Sequence, residues 1–233
     1  MNTRRYSAIF IACATLVLAT AASALPAWAN LVIDPSFEDQ TAPFPLPSLA
    51  GVVSPIFTGG FWGAEAATEV TAESAVTPMC DVQMLRMVAE GGVVTQAFQA
   101  VYVGEDSLCI DRGLATVTLS AYLNTTELGG AVPVEGGATV FFYSCDTCWG
   151  NVVPYLTDPI NLDNSPSTWQ VSTASGPIPP GTRWLLVQMG FTEASLLGRP
   201  GYVDCVDMVI DVSGCGAVPT EAATWGRIKG LYR

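Results

Sequence analysis

The chain has 233 residues, with 21 Asp and Glu against nine Lys and Arg and no histidine. A formal net charge of −12 argues against nucleic acid and anionic membranes, whose phosphates need clustered cations, and suits divalent cations or neutral partners. Without histidine there is no Ser-His-Asp or Cys-His arrangement and no His-ligated zinc, and Lys229, the single lysine, stands in the C-terminal tail.

The chain opens with "MNTRRYS", an apolar run "AIFIACATLVLATAASAL" and then "PAWAN", in which Ala27 and Ala29 form an A-x-A site. A positive start, an apolar stretch and small residues before a cleavage point predict a signal peptide over residues 1–29. "FIAC" at Cys13 makes a poor lipoprotein box because Phe10 stands where Leu is usual. No later segment is long and apolar enough to span a bilayer. Residues 30–233 keep all 21 acids but lose Arg4 and Arg5, which raises the negative charge further. Residues 30–215 are of a size for one domain with a substantial core.

Short apolar runs separated by Gly, Pro and Asn or Asp then follow one another. "NLVIDPSFE" (30–38) comes first and a Pro/Gly-rich stretch leads to Gly63. "VQMLRMV" (82–88) and "VVTQAFQAV" (93–101) come next, then "ATVTLSAYLN" (115–124), with Val117, Leu119, Ala121 and Leu123 on one face. "ATVFFYSC" (138–145), "TWQVST" (168–173), "RWLLVQMGF" (183–191) and "YVDCVDMVIDV" (202–212) complete the set. Alternation in Val-, Thr- and aromatic-rich segments with turn residues between them predicts an all-β antiparallel sandwich, without a clear amphipathic helix before the tail. In the last strand Val206, Met208, Ile210 and Val212 share a face, and alternation puts Asp204 at the head of that stripe.

Six cysteines remain after cleavage: Cys80, Cys109, Cys145, Cys148, Cys205 and Cys215. An even count in an exported chain reads as three disulfides, for which fifteen pairings are possible. The nearest-neighbour set, Cys80–Cys109, Cys145–Cys148 and Cys205–Cys215, is the expectation. The rivals are a zinc site built from "CDTC" with Cys205 and Cys215, and a redox-active "CDTC".

The order of these segments resembles the carbohydrate-binding-module type of galactose-binding-like jelly rolls. Such domains open with "NLVxNGSFE", here "NLVIDPSFE"; they continue through pieces matched by "VVTQAF", "ATVTLSAYL" and "TWQVSTASGPIPPGTRWLLVQMGF", and close on "yvDdvsl", here "YVDCVDM". The resemblance covers residues 30–212. It implies a structural calcium ion near the first strand, with Glu38 and Asp204 at the matching ligand positions. Oxygen ligands suit calcium, and a buried carboxylate needs some such partner; a backbone or Arg partner serves equally well. The pattern departs at Cys205, where the family has a second Asp. If that Asp is the family's ligand, the side-chain site is lost here.

A sugar-binding face needs exposed rings flanked by polar groups. Trp169 and Trp184 lie in strand-like segments and read as core. Trp62 in "GGFWG" and Trp149 in "CDTCWGN" stand among glycines, and Tyr155, Asp146 and Asn151 are near Trp149 in sequence. These five residues are the expected ligand contacts. The tail, residues 216–233, carries Trp225, Ile228, Leu231 and Tyr232 and reads either as a frayed terminus or as a docking or sorting peptide for an envelope partner. The expected protein is secreted, periplasmic or at the cell surface, and is a non-catalytic binder of carbohydrate. The competing readings are a structural or adhesive envelope protein without a small ligand, and a glycan-cleaving enzyme with two facing carboxylates.

Overall fold

The computed structural model describes residues 30–38, 62–64, 67–88, 94–126, 134–145, 153–163, 165–192 and 199–215. Among the described residues ten strands are formed: β1 Gly63–Ala64, β2 Ala67–Val70, β3 Met84–Met87, β4 Val94–Tyr102, β5 Thr116–Thr125, β6 Glu135–Tyr143, β7 Tyr155–Asn161, β8 Gln170–Pro177, β9 Trp184–Thr192 and β10 Gly201–Asp211. They make two five-stranded sheets, β1-β4-β9-β6-β7 (sheet A) and β2-β3-β10-β5-β8 (sheet B).

The antiparallel pairs are nested: β3 with β10, β4 with β9, β5 with β8 and β6 with β7. A long hairpin of eight strands rolled on itself gives this order, which is the jelly roll. The expected sandwich is therefore present, built by the alternation that suggested it. Val117, Leu119, Ala121 and Leu123 of β5 face inward with Val203, Val206 and Met208 of β10, against Val140 of β6 and Leu185, Val187, Met189 and Phe191 of β9. Each large apolar side chain buried there contributes about 1.5–3 kcal/mol. Gly201 is required by this packing, because a Cβ on it would stand 2.4 Å from the Phe191 ring.

Four expectations are corrected. Residues 30–38 form no strand: Asp34 and Phe37 have φ of 51° and 58°, and Pro35 lies between them. The segment is held instead by Leu31 N–H donating to Met208 O and Val206 N–H donating to Pro35 O, both at 2.9 Å. A short helix, α1 (Ser107–Asp111), does precede the tail, burying Cys109 and Ile110. Strand β7 was not expected, since "YLTDPIN" contains Pro159; it is an edge strand, where a residue without an N–H is tolerated.

The fourth correction concerns parity. Between Asp204 and Asp207 of β10 the register against β5 shifts, so that Cys205 and Val206 oppose the single Ala121. Cys205 sits at φ 50° in this bulge. Asp204 pairs with Tyr122 and Asp207 with Ser120, on the outer side of sheet B, while Val203 and Val206 both point into the core. Asp204 thus does not head the buried stripe. It lies outside the sheet and is covered there.

The disulfides follow the topology, not the sequence spacing. Cys80 bonds Cys205 and Cys109 bonds Cys215, over separations of 125 and 106 residues. Cys80 precedes β3 and Cys205 lies in β10, which are neighbours; Cys109 precedes β5 and Cys215 follows β10, which are neighbours too. These pairings replace Cys80–Cys109 and Cys205–Cys215. They also remove Cys205 and Cys215 from any zinc site with "CDTC", because their sulfurs are spent. Closing such long loops stabilises typically by about 2–4 kcal/mol each. Cys145 is disulfide-bonded, and Cys148 lies outside the described residues.

Candidate functional site

The outer side of sheet A is defined by the residues that alternate with its core stripe. In β9 these are Trp184, Leu186, Gln188 and Gly190. Cross-strand partners extend them into rows: Tyr102–Trp184–Tyr143, then Ala100–Leu186–Phe141–Tyr155, then Phe98–Gln188–Thr139–Thr157. Directly opposed side chains share one face of a sheet, so six aromatic rings and several amides and hydroxyls occupy this surface.

The rings form two contacts. Tyr102 and Trp184 have centroids 5.0 Å apart at 59°, and Phe141 and Tyr155 lie 5.6 Å apart at 41°. Tyr102 is 56% and Tyr155 58% exposed. The Tyr102 ring folds back over Gly104, so that a Cβ there would displace the ring from this position. One pair stands on β4 and β9 and the other on β6 and β7, one row further along. They are separated by about 10 Å across the strands and about 7 Å along them.

Polar groups lie in the next row. Gln188 Nε2 donates to Gln96 Oε1, and the Thr139 and Thr157 hydroxyls are hydrogen-bonded at 2.9 Å. These three rows hold no charged side chain. Arg183, next to Trp184 in the chain, gives both terminal nitrogens to Asp111 (2.9 and 2.8 Å), and Asp111 also accepts from Gly181 N–H. That fork holds the Asp111 carboxyl below its usual range and the guanidinium above its own. Burial pushes the Tyr143 phenol up. The chemistry on offer is stacking on apolar ring faces with neutral hydrogen-bonding groups alongside.

The expected contacts fare unevenly. Tyr155 is on this face. Trp62 is not a surface ring: it is 2% exposed, packs on Phe37 with centroids 5.3 Å apart, and donates its Nε1–H to Asp34 O at 2.9 Å. The glycine beside it gives a short strand, Gly63–Ala64, that seats it at the sandwich edge. Trp149, Asp146 and Asn151 lie outside the described residues. Trp184, expected in the core, stands on the outer face. Trp169 supports a small second cluster with Val76, Met84 and Tyr202, and donates its Nε1–H to Thr77 O. Tyr102, Phe141, Gln96 and Gln188 were missed, although the alternation that marks Leu185, Val187, Met189 and Phe191 as core also marks their neighbours as outward.

Glu38 and Asp204 are close enough to affect one another, but both are occupied. Glu38 Oε1 accepts from Val82 N–H (2.8 Å) and Gln83 N–H (2.5 Å). Asp204 Oδ2 accepts from Met79 N–H (2.7 Å) and Cys80 N–H (2.9 Å), and its Oδ1 from Cys205 N–H (2.7 Å). Asp204 is fully buried; desolvation raises its pKa, those three amides oppose the rise, and Glu38 adds to it. Five N–H dipoles already aim their positive ends at three of the four carboxylate oxygens, so the pair does not fit a calcium ion as a free donor set. The Cys80 and Cys205 sulfurs and an Asp204 oxygen lie within 4.8 Å of one another, yet both sulfurs are consumed in the disulfide.

A concavity of about 610 Å³ lies at the edge of sheet B, lined by Glu69, Glu73, Gln83 and Arg86 among others. Arg86 is paired with Glu73 at 2.7 Å. Glu69 is pushed up to about 7, first by burial and then by the charges of Asp34 and Glu38.

No protein-family model and no curated protein matches the chain. Among solved structures it is similar to TmCBM61 in complex with beta-1,4-galactotriose, at 13% identity over 78% of this chain and 99% of that one, with a TM-score of 0.47. The CBM22-1 xylan-binding domain from Paenibacillus barcinonensis Xyn10C is 14% identical over 64% of this chain and 85% of its own, with a TM-score of 0.43. An apo form cyclase from Fischerella sp. is 10% identical over 78% and 96%, with a TM-score of 0.48. Likenesses this distant assign no activity, and the jelly-roll reading rests on the strand pairing.

Proposed function

We propose that the chain is an exported, non-catalytic binding module that takes neutral carbohydrate on the outer face of sheet A. One observation carries this reading: two ring pairs, each with an exposed tyrosine, stand beside a row of neutral amides and hydroxyls on a strand-supported surface without a charged side chain in those rows. A flat ring covers the apolar C–H face of a pyranose while amides and hydroxyls bond its hydroxyls, and rigid strands hold both in place. An uncharged lining disfavours uronates, which a chain this acidic repels in any case. The disulfides Cys80–Cys205 and Cys109–Cys215 suit an oxidising compartment, and no helix among the described residues is long and apolar enough to cross a membrane. The tail, residues 216–233, lies outside the described residues, and its proposed role is docking to an envelope partner.

Affinity electrophoresis through gels containing neutral or uronate polysaccharides tests the proposal. Retardation is expected in at least one neutral gel and is lost in the Tyr155→Ala/Trp184→Ala variant. Equal mobility in every gel would favour a structural envelope role. Shortening of the polysaccharide during incubation would favour catalysis, with Glu69 as the first residue to replace.

A further inference from the structure

Residues 79–83, "MCDVQ", carry an unusual run of bonds. Four of their five N–H groups go to carboxylates: those of Met79 and Cys80 to Asp204, and those of Val82 and Gln83 to Glu38. Asp81 separates the two pairs at φ 51°, and its own carboxylate accepts from the Ser36 hydroxyl at 3.1 Å. Successive amides around a left-handed residue make a concavity that binds anions, and here the anions are supplied by the protein. Cys80, inside the run, is bonded to Cys205 beside Asp204. Gln83 adds a side-chain bond from Nε2 to Glu38 O at 3.3 Å.

We infer that residues 79–83 form a disulfide-anchored amide strap that occupies the place of a divalent cation at Glu38 and Asp204, so that this end of the sandwich closes without calcium. Two carboxylates at the meeting point of residues 30–38 and β10 repel one another unless positive charge lies between them. A bound cation supplies it as a point charge, whereas here the strap supplies four N–H dipoles and Cys205 of β10 a fifth. The distinction matters chemically. Asp204 Oδ2 and Glu38 Oε1 each receive two N–H groups at 2.5–2.9 Å, which fills both lone pairs, so these two oxygens are not available for coordination until the strap lifts, and the Cys80–Cys205 bond opposes its lifting. The protein trades dependence on calcium for dependence on a disulfide, independently of what the opposite face binds.

The test is amide hydrogen exchange, read residue by residue by NMR on the full chain with its disulfides intact, together with thermal melts in millimolar calcium and in chelator. The expected result is slow exchange at Met79, Cys80, Val82 and Gln83 and one melting temperature in both solutions. Asp204→Ala then accelerates Met79 and Cys80 at least tenfold while Val82 and Gln83 stay slow, and Glu38→Ala does the reverse. A general loosening of the fold would move all four together and would count against the strap. A melting temperature raised by calcium and lowered by chelator, or exchange at unfolded-chain rates in the parent, overturns the inference. Both of these readings need only the parent protein, so the test stands if a variant fails to fold.

Discussion

The two outer faces of the sandwich are built from strands of the same kind and look out on different chemistry. On sheet A the outward positions of β4, β9, β6 and β7 hold Phe98, Tyr102, Trp184, Phe141, Tyr143 and Tyr155. On sheet B the outward positions of β5, β8 and β10 hold Thr116, Thr118, Ser120, Thr173, Ser175, Asp207 and Asp211, with Tyr122, Val171 and Val209 among them and no pair of rings. Thr118 and Ser175 there join hydroxyls at 2.7 Å. The β3 end of sheet B is roofed as well: Met84 and Tyr202 lie under Val76 and Trp169, and Asp204 lies under residues 79–83. The inward stripes of both sheets are interchangeable Val, Leu, Met and Ala, so they report the fold and little else. On the proposed reading, binding belongs to the outward stripe of sheet A, whose rings and amides are not committed to the core cluster.

If the faces differ in role as they do in chemistry, removing rings from sheet A has the largest effect. Each ring lost costs at least about 1.4 kcal/mol of binding, or tenfold in Kd, so Tyr155→Ala/Trp184→Ala weakens binding about a hundredfold by calorimetric titration. Its melting temperature should move little, since neither residue belongs to the core cluster. Gln188→Ala comes next. It removes a hydrogen-bonding group from the same face, and a bond worth about 1 kcal/mol corresponds to roughly a fivefold loss in affinity.

A smaller effect appears in stability at the far edge of sheet B. Glu69 has its folded pKa raised from 4.5 to about 7, so the folded state holds a proton that the unfolded state has released. Stability from this group is therefore greatest at low pH and declines as pH rises from about 4.5 to about 7. Melting curves from pH 4 to pH 8 should show that decline, and Glu69→Gln should flatten this part of it. Asp204, also raised, acts in the same direction. Smallest of all is the control on the opposite face. Thr118→Ala/Thr173→Ala should leave Kd within about twofold while lowering stability by up to about 1 kcal/mol through loss of the Thr118–Ser175 bond. A larger binding loss there than on sheet A would reverse the comparison.

Much of this was legible in the sequence, and the failures have definite causes. Alternation in "ATVTLSAYL" and "RWLLVQMGF" located β5 and β9 and their buried stripes, because a period of two needs no tertiary information. The same period marks Trp184 and Gln188 as outward, but glycine neighbours drew attention to Trp62, which the fold buries against Phe37. Strand β7 was hidden by Pro159, a residue that only an edge position excuses. The bulge at Cys205 inserts one residue and reverses the parity of everything before it, so Asp204 read as inward when it is not. Disulfide pairing depends on which strands are neighbours, and nested pairing joins the ends of the chain that sequence spacing keeps apart. The residues that satisfy Glu38 and Asp204 are backbone amides, which carry no signature in side-chain identity at all.

The most direct test of the account is to map a ligand onto the two faces. Two-dimensional NMR of the labelled chain, titrated with the neutral oligosaccharide that retards it best in gels, reports every amide at once. Shifts concentrated in Gln96–Tyr102, Thr139–Tyr143, Tyr155–Thr157 and Trp184–Gln188, with β5, β8 and β10 unmoved, are the predicted result. Shifts centred on Thr118, Thr173 and Asp207, or none from any neutral oligosaccharide, would contradict it.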